Sequence, residues 1–156
     1  MQLRKVFKRS LVVGLLIILL VMVNAKAMGL KNRAIILLSK YRLLLPYIVA
    51  QAKHETGNFK SEVYLTDHNM FGMKFINGAR GQVATSGLPS PEGDHYAHYA
   101  SDTDSLNDLL LWFDYEKFPT SVTDAGQYAT ELKNRNYFTA GLSSYVKALL
   151  GWLSIS

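Results

Sequence analysis

The stretch PYIVAQAKHETG, residues 46–57, decides the fold of this chain. Pro46 suits the first turn of a helix because the N–H that proline lacks has no partner there, and Gly57 is a typical C-terminal stop. Within this helix Ile48 and Glu55 are seven residues apart and therefore lie on one face. The stretch predicts an amphipathic helix that ends with a carboxylic acid on its apolar side.

Patterns of the same kind continue on both sides of this stretch. Apolar residues at helical spacing predict further helices at 30–42, in a short piece within 58–74, from Ser101 onward, at 122–133 and at 142–153. Between residues 75 and 100, glycines and prolines followed by alternating tyrosines are typical of a β-hairpin. The expected fold is mainly α, an α+β arrangement of helices with one small β-hairpin lobe.

The charge of the chain is concentrated at its N-terminus. The first 27 residues hold five bases and no acid, which leaves 12 bases and 12 acids for the domain expected at residues 28–156. The formal net charge of +5 thus belongs to the leader. A neutral body lacks the basic surface that nucleic-acid binding requires, so we expect no nucleic-acid partner.

The leader itself predicts export. Its basic start precedes an apolar run at 11–23, which is the layout of a cleavable signal peptide or of a signal-anchor transmembrane segment. We expect the segment 1–27 to orient the chain so that the rest lies outside the cytoplasm, in the cell envelope or at a virion membrane. The alternatives are retention as a membrane anchor, which we favour, and secretion after cleavage near Ala27.

Several common chemistries are excluded or weakly supported. The chain has no cysteine, which excludes disulfides, thiolate zinc sites and a cysteine nucleophile. His54 and Glu55 begin like the zinc motif H-E-x-x-H, but Asn58 occupies the place of the second histidine. His95 and His98 have no convincing third ligand, and no phosphate-binding loop or serine elbow is present. We expect no metal and no cofactor.

Glu55 is the candidate for acid–base chemistry. A carboxyl group at the end of an apolar stripe is partly desolvated, which raises its pKa toward the value a general acid needs. The alternative is an exposed glutamate at a helix end without a role. Three tyrosines fall in loops or at loop edges, namely Tyr96, Tyr99 and Tyr137. There an aromatic ring can stack on a sugar and its hydroxyl can bond to the sugar hydroxyls. The alternative for each is a position in the core. Tyr145 falls at a helical core position.

Four motifs in order then resemble one enzyme family. The stretch AQAKHETG at 50–57 is followed by Ser61, by NMFGMK at 69–74, by YASDTDSLND at 99–108 and by a tyrosine-rich closing segment at 128–149. This order is similar to the endo-β-N-acetylglucosaminidase domain of glycoside hydrolase family 73, over roughly residues 30–153. Asn58 and Phe59 depart from the family's usual Trp-Gly pair.

The resemblance implies a lysozyme-like fold whose cleft takes the glycan strand of peptidoglycan. It implies that Glu55 is the catalytic acid and that the substrate-binding residues are Tyr137, Phe71, Gly72, Tyr99 and Asn69. Some members of the family have a second carboxylate in the β-lobe. The acids between Asp67 and Asp102 are Glu92 and Asp94, which makes these two the candidates.

The expected reaction is cleavage of a β-1,4 glycosidic bond, with Glu55 protonating the leaving oxygen. Glu92 or Asp94 would activate water, or the substrate's N-acetyl group would assist. A muramidase or a lytic transglycosylase on the same fold is an alternative. A non-catalytic wall-binding or virion structural protein is another. The sequence does not choose between a role in wall remodelling and one in wall penetration or lysis by a phage.

Overall fold

A computed structural model describes residues 31–79 and 81–155, and the expected leader lies outside these residues. The helices are α1 (Lys31–Lys40), α2 (Leu45–Glu55), α3 (Glu62–Asp67), α4 (Asp102–Tyr115), α5 (Ala125–Asn134) and α6 (Leu142–Ser154), with a 3-10 turn at Arg42–Leu44 before α2. The strands are β1 (Thr85–Pro89) and β2 (His95–His98). This confirms the expected mainly helical α+β fold with one β-hairpin lobe. No helix among these residues has both the length and the apolar character that a membrane span requires.

Helix starts follow local capping rules. The Ser61 side chain accepts a hydrogen bond from the backbone of Tyr64 and begins α3, and Ser101 begins α4 in the same way. Helix α5 begins at Ala125, three residues later than the apolar pattern predicts. The reason is that the Asp124 carboxylate accepts the backbone N–H of Gln127 at 2.8 Å, which fixes the first turn there.

The core lies between the helices. Helix α6 packs against both α2 and α5, and α1 packs against α4. The largest side chains that are fully buried are aromatic or leucine, among them Tyr41, Leu44, Leu109, Phe113, Tyr128 and Leu149. Burial of such side chains stabilises a domain by about 1.5–3 kcal/mol each, so this cluster holds the helices in fixed positions.

A tight reversal of the chain follows α2. Gly57, Asn58 and Phe59 all have positive φ angles, of 56°, 61° and 64°. Thr56 holds this turn, because its hydroxyl donates to the carbonyl of Ala52 at 2.6 Å and accepts the N–H of Phe59 at 2.8 Å. The left-handed residues end the helix immediately after Glu55.

The hairpin lobe is antiparallel and irregular. Thr85 pairs with His98 and Ser86 with Ala97, and the register then shifts before Pro89 pairs with His95. The strand β2 also joins the turn before it, since the backbone N–H of Ala97 donates to the carbonyl of Met73 at 2.9 Å. The lobe is thereby attached to the segment at 69–74.

Candidate active site

Glu55 is half-buried at the C-terminal end of α2. The hydroxyl of Tyr145 donates a hydrogen bond to its Oε1 atom at 2.6 Å. Burial raises the pKa of Glu55, and the hydrogen bond from Tyr145 offsets part of this increase. A carboxyl group in these surroundings keeps its proton to higher pH than an exposed glutamate does.

Two neighbouring aromatic side chains hold the ring of Tyr145. Its ring stacks on Phe138 with centroids 3.9 Å apart and planes 4° from parallel. The ring of His54 meets it edge-on at 5.0 Å. The sequence predicts only a core position for Tyr145, and no local signal could have shown that its hydroxyl reaches an acid 90 residues away.

Further tyrosines surround the acid. Burial and the charge of Glu55 raise the pKa of Tyr128 well above its usual value, and the same two causes act on Tyr137. The hydroxyl of Tyr128 donates a hydrogen bond to Oε1 of Gln51 at 2.5 Å. Gln51 is fully buried one helical turn before Glu55. Tyr128 and Tyr137 therefore remain neutral hydrogen-bond donors at and around neutral pH.

Tyr137 connects the helical part of the site to the turn that carries Phe71. Its hydroxyl donates to the backbone carbonyl of Phe71, and its ring packs against Trp112 with centroids 5.3 Å apart. Lys133 fixes the loop after Tyr137 by donating to three successive backbone carbonyls, those of residues 138–140. The side chain of Phe71 is buried, and Gly72 follows it with a φ of 62°.

Three of the expected substrate-binding residues, Phe71, Tyr99 and Asn69, have buried side chains. Tyr99 is fully buried, and its hydroxyl donates to Oδ2 of Asp108 at 2.6 Å. Asn69 is 2% exposed, and its side chain makes four hydrogen bonds to backbone groups. The side chains of Tyr99 and Asn69 are both closed to solvent in this structure. Their position is that of residues that shape the site.

The two hairpin acids are bound to a lysine. Nζ of Lys74 lies 2.6 Å from Oε2 of Glu92 and 2.9 Å from Oδ1 of Asp94, and both acids are exposed. Hydrogen bonds from Lys74 and then Ser90 lower the pKa of Glu92, and bonds from Ser90 and then Lys74 lower that of Asp94. A carboxylate with a lowered pKa is a weaker base, so this ion-pair cluster is poorly suited to activate water.

The part of the chain that the structure describes holds no group of three histidine, cysteine or acidic side chains close enough to bind a metal ion. Glu55 and the tyrosines near it offer acid–base chemistry and hydrogen bonding. A half-buried acid at a helix end that is bonded to a tyrosine is suited to act as the general acid of a glycoside hydrolase.

The sequence profile of the glucosaminidase family, described as mannosyl-glycoprotein endo-β-N-acetylglucosaminidase, matches residues 31–154. The chain therefore belongs to this family, glycoside hydrolase family 73, as its motifs indicate.

Its fold is similar to that of the catalytic domain of the autolysin Auto from Listeria monocytogenes. The TM-score is 0.52 at 23% sequence identity, over 81% of this chain and 80% of the other. At this level of identity the likeness concerns the fold. A comparison with curated proteins gave no significant match.

Proposed function

We propose that this protein hydrolyses peptidoglycan by cutting a β-1,4 bond of the glycan strand in the manner of an endo-β-N-acetylglucosaminidase, with Glu55 as the general acid. The observation that carries the proposal is the environment of Glu55, which is half-buried and bonded to Tyr145 at 2.6 Å. Membership of the glucosaminidase family supports the same class of reaction. The solved structure of similar fold is named as the catalytic domain of an autolysin, which supports the cell wall as the substrate.

In the proposed reaction the protonated Glu55 donates its proton to the glycosidic oxygen as the bond to the anomeric carbon breaks. The positive charge that develops on the sugar ring then requires attack by water or by the N-acetyl group of the substrate. Tyr137 stays neutral, because burial and the charge of Glu55 raise its pKa, and it is the proposed sugar contact. The backbone carbonyl of Phe71, next to Gly72, holds Tyr137 in place by accepting the hydrogen bond from its hydroxyl.

The products of digestion test which bond is cut. Muropeptides released by the full chain should carry N-acetylglucosamine at their new reducing ends, which borohydride reduction and mass spectrometry identify. Ends of N-acetylmuramic acid would show a muramidase, and 1,6-anhydro ends would show a lytic transglycosylase. Absence of any release from every peptidoglycan type would favour the non-catalytic alternative.

The leader supports a second part of the proposal. Its basic start and apolar run favour a domain held at a membrane on the outer side, with secretion after cleavage near Ala27 as the alternative. The N-terminal sequence and mass of the protein recovered from membranes distinguish the two.

Tyr145→Phe should move the alkaline limb of the pH profile of kcat/KM to higher pH. Burial raises the pKa of Glu55, and the Tyr145 hydroxyl partly counteracts this by stabilising the carboxylate. Removing the hydroxyl therefore raises the pKa of Glu55 further, and its protonated, active form persists to higher pH. The phenylalanine ring keeps the stacking on Phe138.

The control is Tyr47→Phe, which removes a hydroxyl that donates to the carbonyl of Thr123 at 2.7 Å, away from the acid. In that variant the alkaline limb of the pH profile of kcat/KM should lie at the same pH as in the wild type. An unchanged limb in Tyr145→Phe, or one shifted to lower pH, would show that Tyr145 does not set the pKa of Glu55.

A further inference from the structure

One lysine side chain holds the loop that joins α5 to α6. Nζ of Lys133, in the last turn of α5, donates to the backbone carbonyls of residues 138–140 at 3.2, 2.9 and 2.8 Å. An ammonium group has three protons, so each proton has one of these carbonyls as its acceptor. The loop is therefore fixed at three successive residues by a single positive charge.

The loop that Lys133 fixes leads directly into α6. Gly141, the residue after the last of the three carbonyls, is the N-cap of α6. Its own carbonyl accepts the backbone N–H of Tyr145 at 3.2 Å, in the first turn of the helix. The start of α6 thus sets the position of Tyr145, which lies one helical turn after the loop.

The same ammonium also contacts the ring that stacks on Tyr145. Nζ of Lys133 lies over the ring of Phe138, 5.1 Å from its centroid. Tyr145 covers one face of this ring, with centroids 3.9 Å apart and planes 4° from parallel, so the ammonium takes the other face. A cation is attracted to the negative face of an aromatic ring. Phe138 is thus held between a positive charge and the ring of Tyr145.

Tyr145 connects this arrangement to the acid. Its hydroxyl donates to Oε1 of Glu55 at 2.6 Å. A hydrogen bond weakens steeply when its distance and angle depart from the favoured values, so a displaced tyrosine ring would bind the carboxylate less well. Two series of direct contacts therefore join Lys133 to Glu55. One runs through the loop and the start of α6, and the other runs through the rings of Phe138 and Tyr145.

We propose that Lys133 is a positioning residue for the general acid, because its ammonium group holds Tyr145 in place to bond to Glu55. The inference rests on the proposed function, since it concerns the acid of that reaction. The positive charge is what the role requires. A neutral side chain of the same length neither donates three hydrogen bonds nor attracts the face of an aromatic ring.

The pKa of Glu55 reports on this arrangement. Burial raises this pKa, and the hydrogen bond from Tyr145 lowers it. Burial lowers the pKa of the neighbouring histidine and raises the pKa of each neighbouring tyrosine, so these groups are uncharged at neutral and moderately alkaline pH. They are His54 on α2, Tyr128 on α5, Tyr137 in the loop and Tyr145 on α6. A change at Lys133 therefore acts on the pKa of Glu55 through the bond from Tyr145.

The test is Lys133→Met in the full chain, compared with Lys133→Arg and Tyr145→Phe. In Lys133→Met the alkaline limb of the pH profile of kcat/KM should lie at higher pH than in the wild type, because a weaker bond from Tyr145 leaves the pKa of Glu55 higher. Lys133→Arg keeps the charge and should keep the limb at the pH of the wild type. The double variant Lys133→Met/Tyr145→Phe should have the limb of Tyr145→Phe alone, since both changes act on the same hydrogen bond.

Lys147→Met is the matched control, since it also replaces a lysine by methionine. Lys147 is exposed and lies two residues after the buried Tyr145, on another face of α6. Its loss should leave the limb unchanged. Melting curves confirm that each variant is folded. If Lys133→Met does not fold, Phe138→Leu takes its place, because it removes the stacked ring, keeps the backbone bonds of Lys133 and should move the limb in the same direction.

Three results would overturn the inference. The first is a wild-type limb in folded Lys133→Met. The second is an equal displacement in Lys133→Arg, which would show that the charge does not position Tyr145. The third is a double variant whose displacement is the sum of the two single ones, which would show that Lys133 acts on Glu55 without Tyr145.

In all three results the wild-type chain is active and the proposed function stands. An inactive wild-type chain would contradict the proposed function alone. The effect of Lys133 is then measured without catalysis, by carbon-13 NMR titration of the Glu55 carboxyl group in the same variants. That titration should show a higher pKa of Glu55 in Lys133→Met than in the wild type, and an unchanged pKa would contradict the inference.

Discussion

Replacing Glu55 by glutamine should lower the turnover of peptidoglycan at least ~10²-fold, the typical contribution of a general acid. Glutamine has nearly the same shape and still accepts the hydrogen bond from Tyr145, so the site keeps its packing. It has no proton to give to the leaving oxygen. A zymogram with the purified variant gives the first result, and release of reducing ends over time gives the fold-change.

The stability of this variant separates chemistry from unfolding. Burial raises the pKa of Glu55 in the folded chain above its unfolded value. Glu55 therefore makes its full contribution to stability at a pH below its pKa in the unfolded chain. This contribution is lost as the pH rises through its higher pKa in the folded chain. Glu55→Gln does not undergo this loss, so at neutral pH it should be no less stable than the wild type.

Glu62→Gln is the matched control, because Glu62 is an exposed acid in the first turn of α3. In the zymogram, Glu62→Gln should clear peptidoglycan at the rate of the wild type. If Glu55→Gln cleared the wall at the wild-type rate, Glu55 would not be the general acid, whatever the products of the wild-type enzyme.

The second large effect concerns stability. Asn69→Ala should lower the free energy of unfolding by about 3 kcal/mol, because it leaves buried backbone groups without partners at ~1–3 kcal/mol each. Oδ1 of Asn69 accepts the N–H groups of Phe71 and Met73, at 3.3 and 3.1 Å. Its Nδ2 donates to the carbonyls of Met73 and Ala97, at 2.8 and 2.9 Å. The carbonyl of Met73 keeps a second partner, which leaves three groups unpaired.

Urea unfolding followed by circular dichroism measures this change. Asn77→Ala is the control, since Asn77 is exposed in the loop before the hairpin and its loss should change the free energy of unfolding little. A loss below about 1 kcal/mol in Asn69→Ala would mean that water satisfies the freed backbone groups and that Asn69 does not hold the lobe.

Local rules account for the part of the fold that the sequence predicts. Pro46, the apolar stripe and Gly57 define α2 and place Glu55 at its end, since helix starts and stops depend on neighbouring residues. The hairpin follows from the glycines and prolines at 75–100 in the same way. The pattern does not decide the position of Tyr99, because its apolar ring and polar tip fit a loop and a core equally well.

Contacts between distant residues account for what the sequence does not predict. Tyr145 reaches Glu55 only because α6 packs on α2, and Asp67 reaches His98 only because α3 packs on the hairpin. Glu92 and Asp94 lie between the two strands of the hairpin, and nothing in the local sequence shows that both bind Lys74. Spacing along the chain carries no information on such pairs.

The position of Tyr145 in α6 determines the order in which the parts of the site form. The turn held by Thr56 forms from neighbouring residues and sets Glu55 at its helix end early, whereas the hydrogen bond to Glu55 comes from a residue 90 positions later. A chain made from its N-terminus thus contains the acid long before the acid is aligned. Under the proposed function, the acid is therefore aligned only after α6 has been made and has docked on α2.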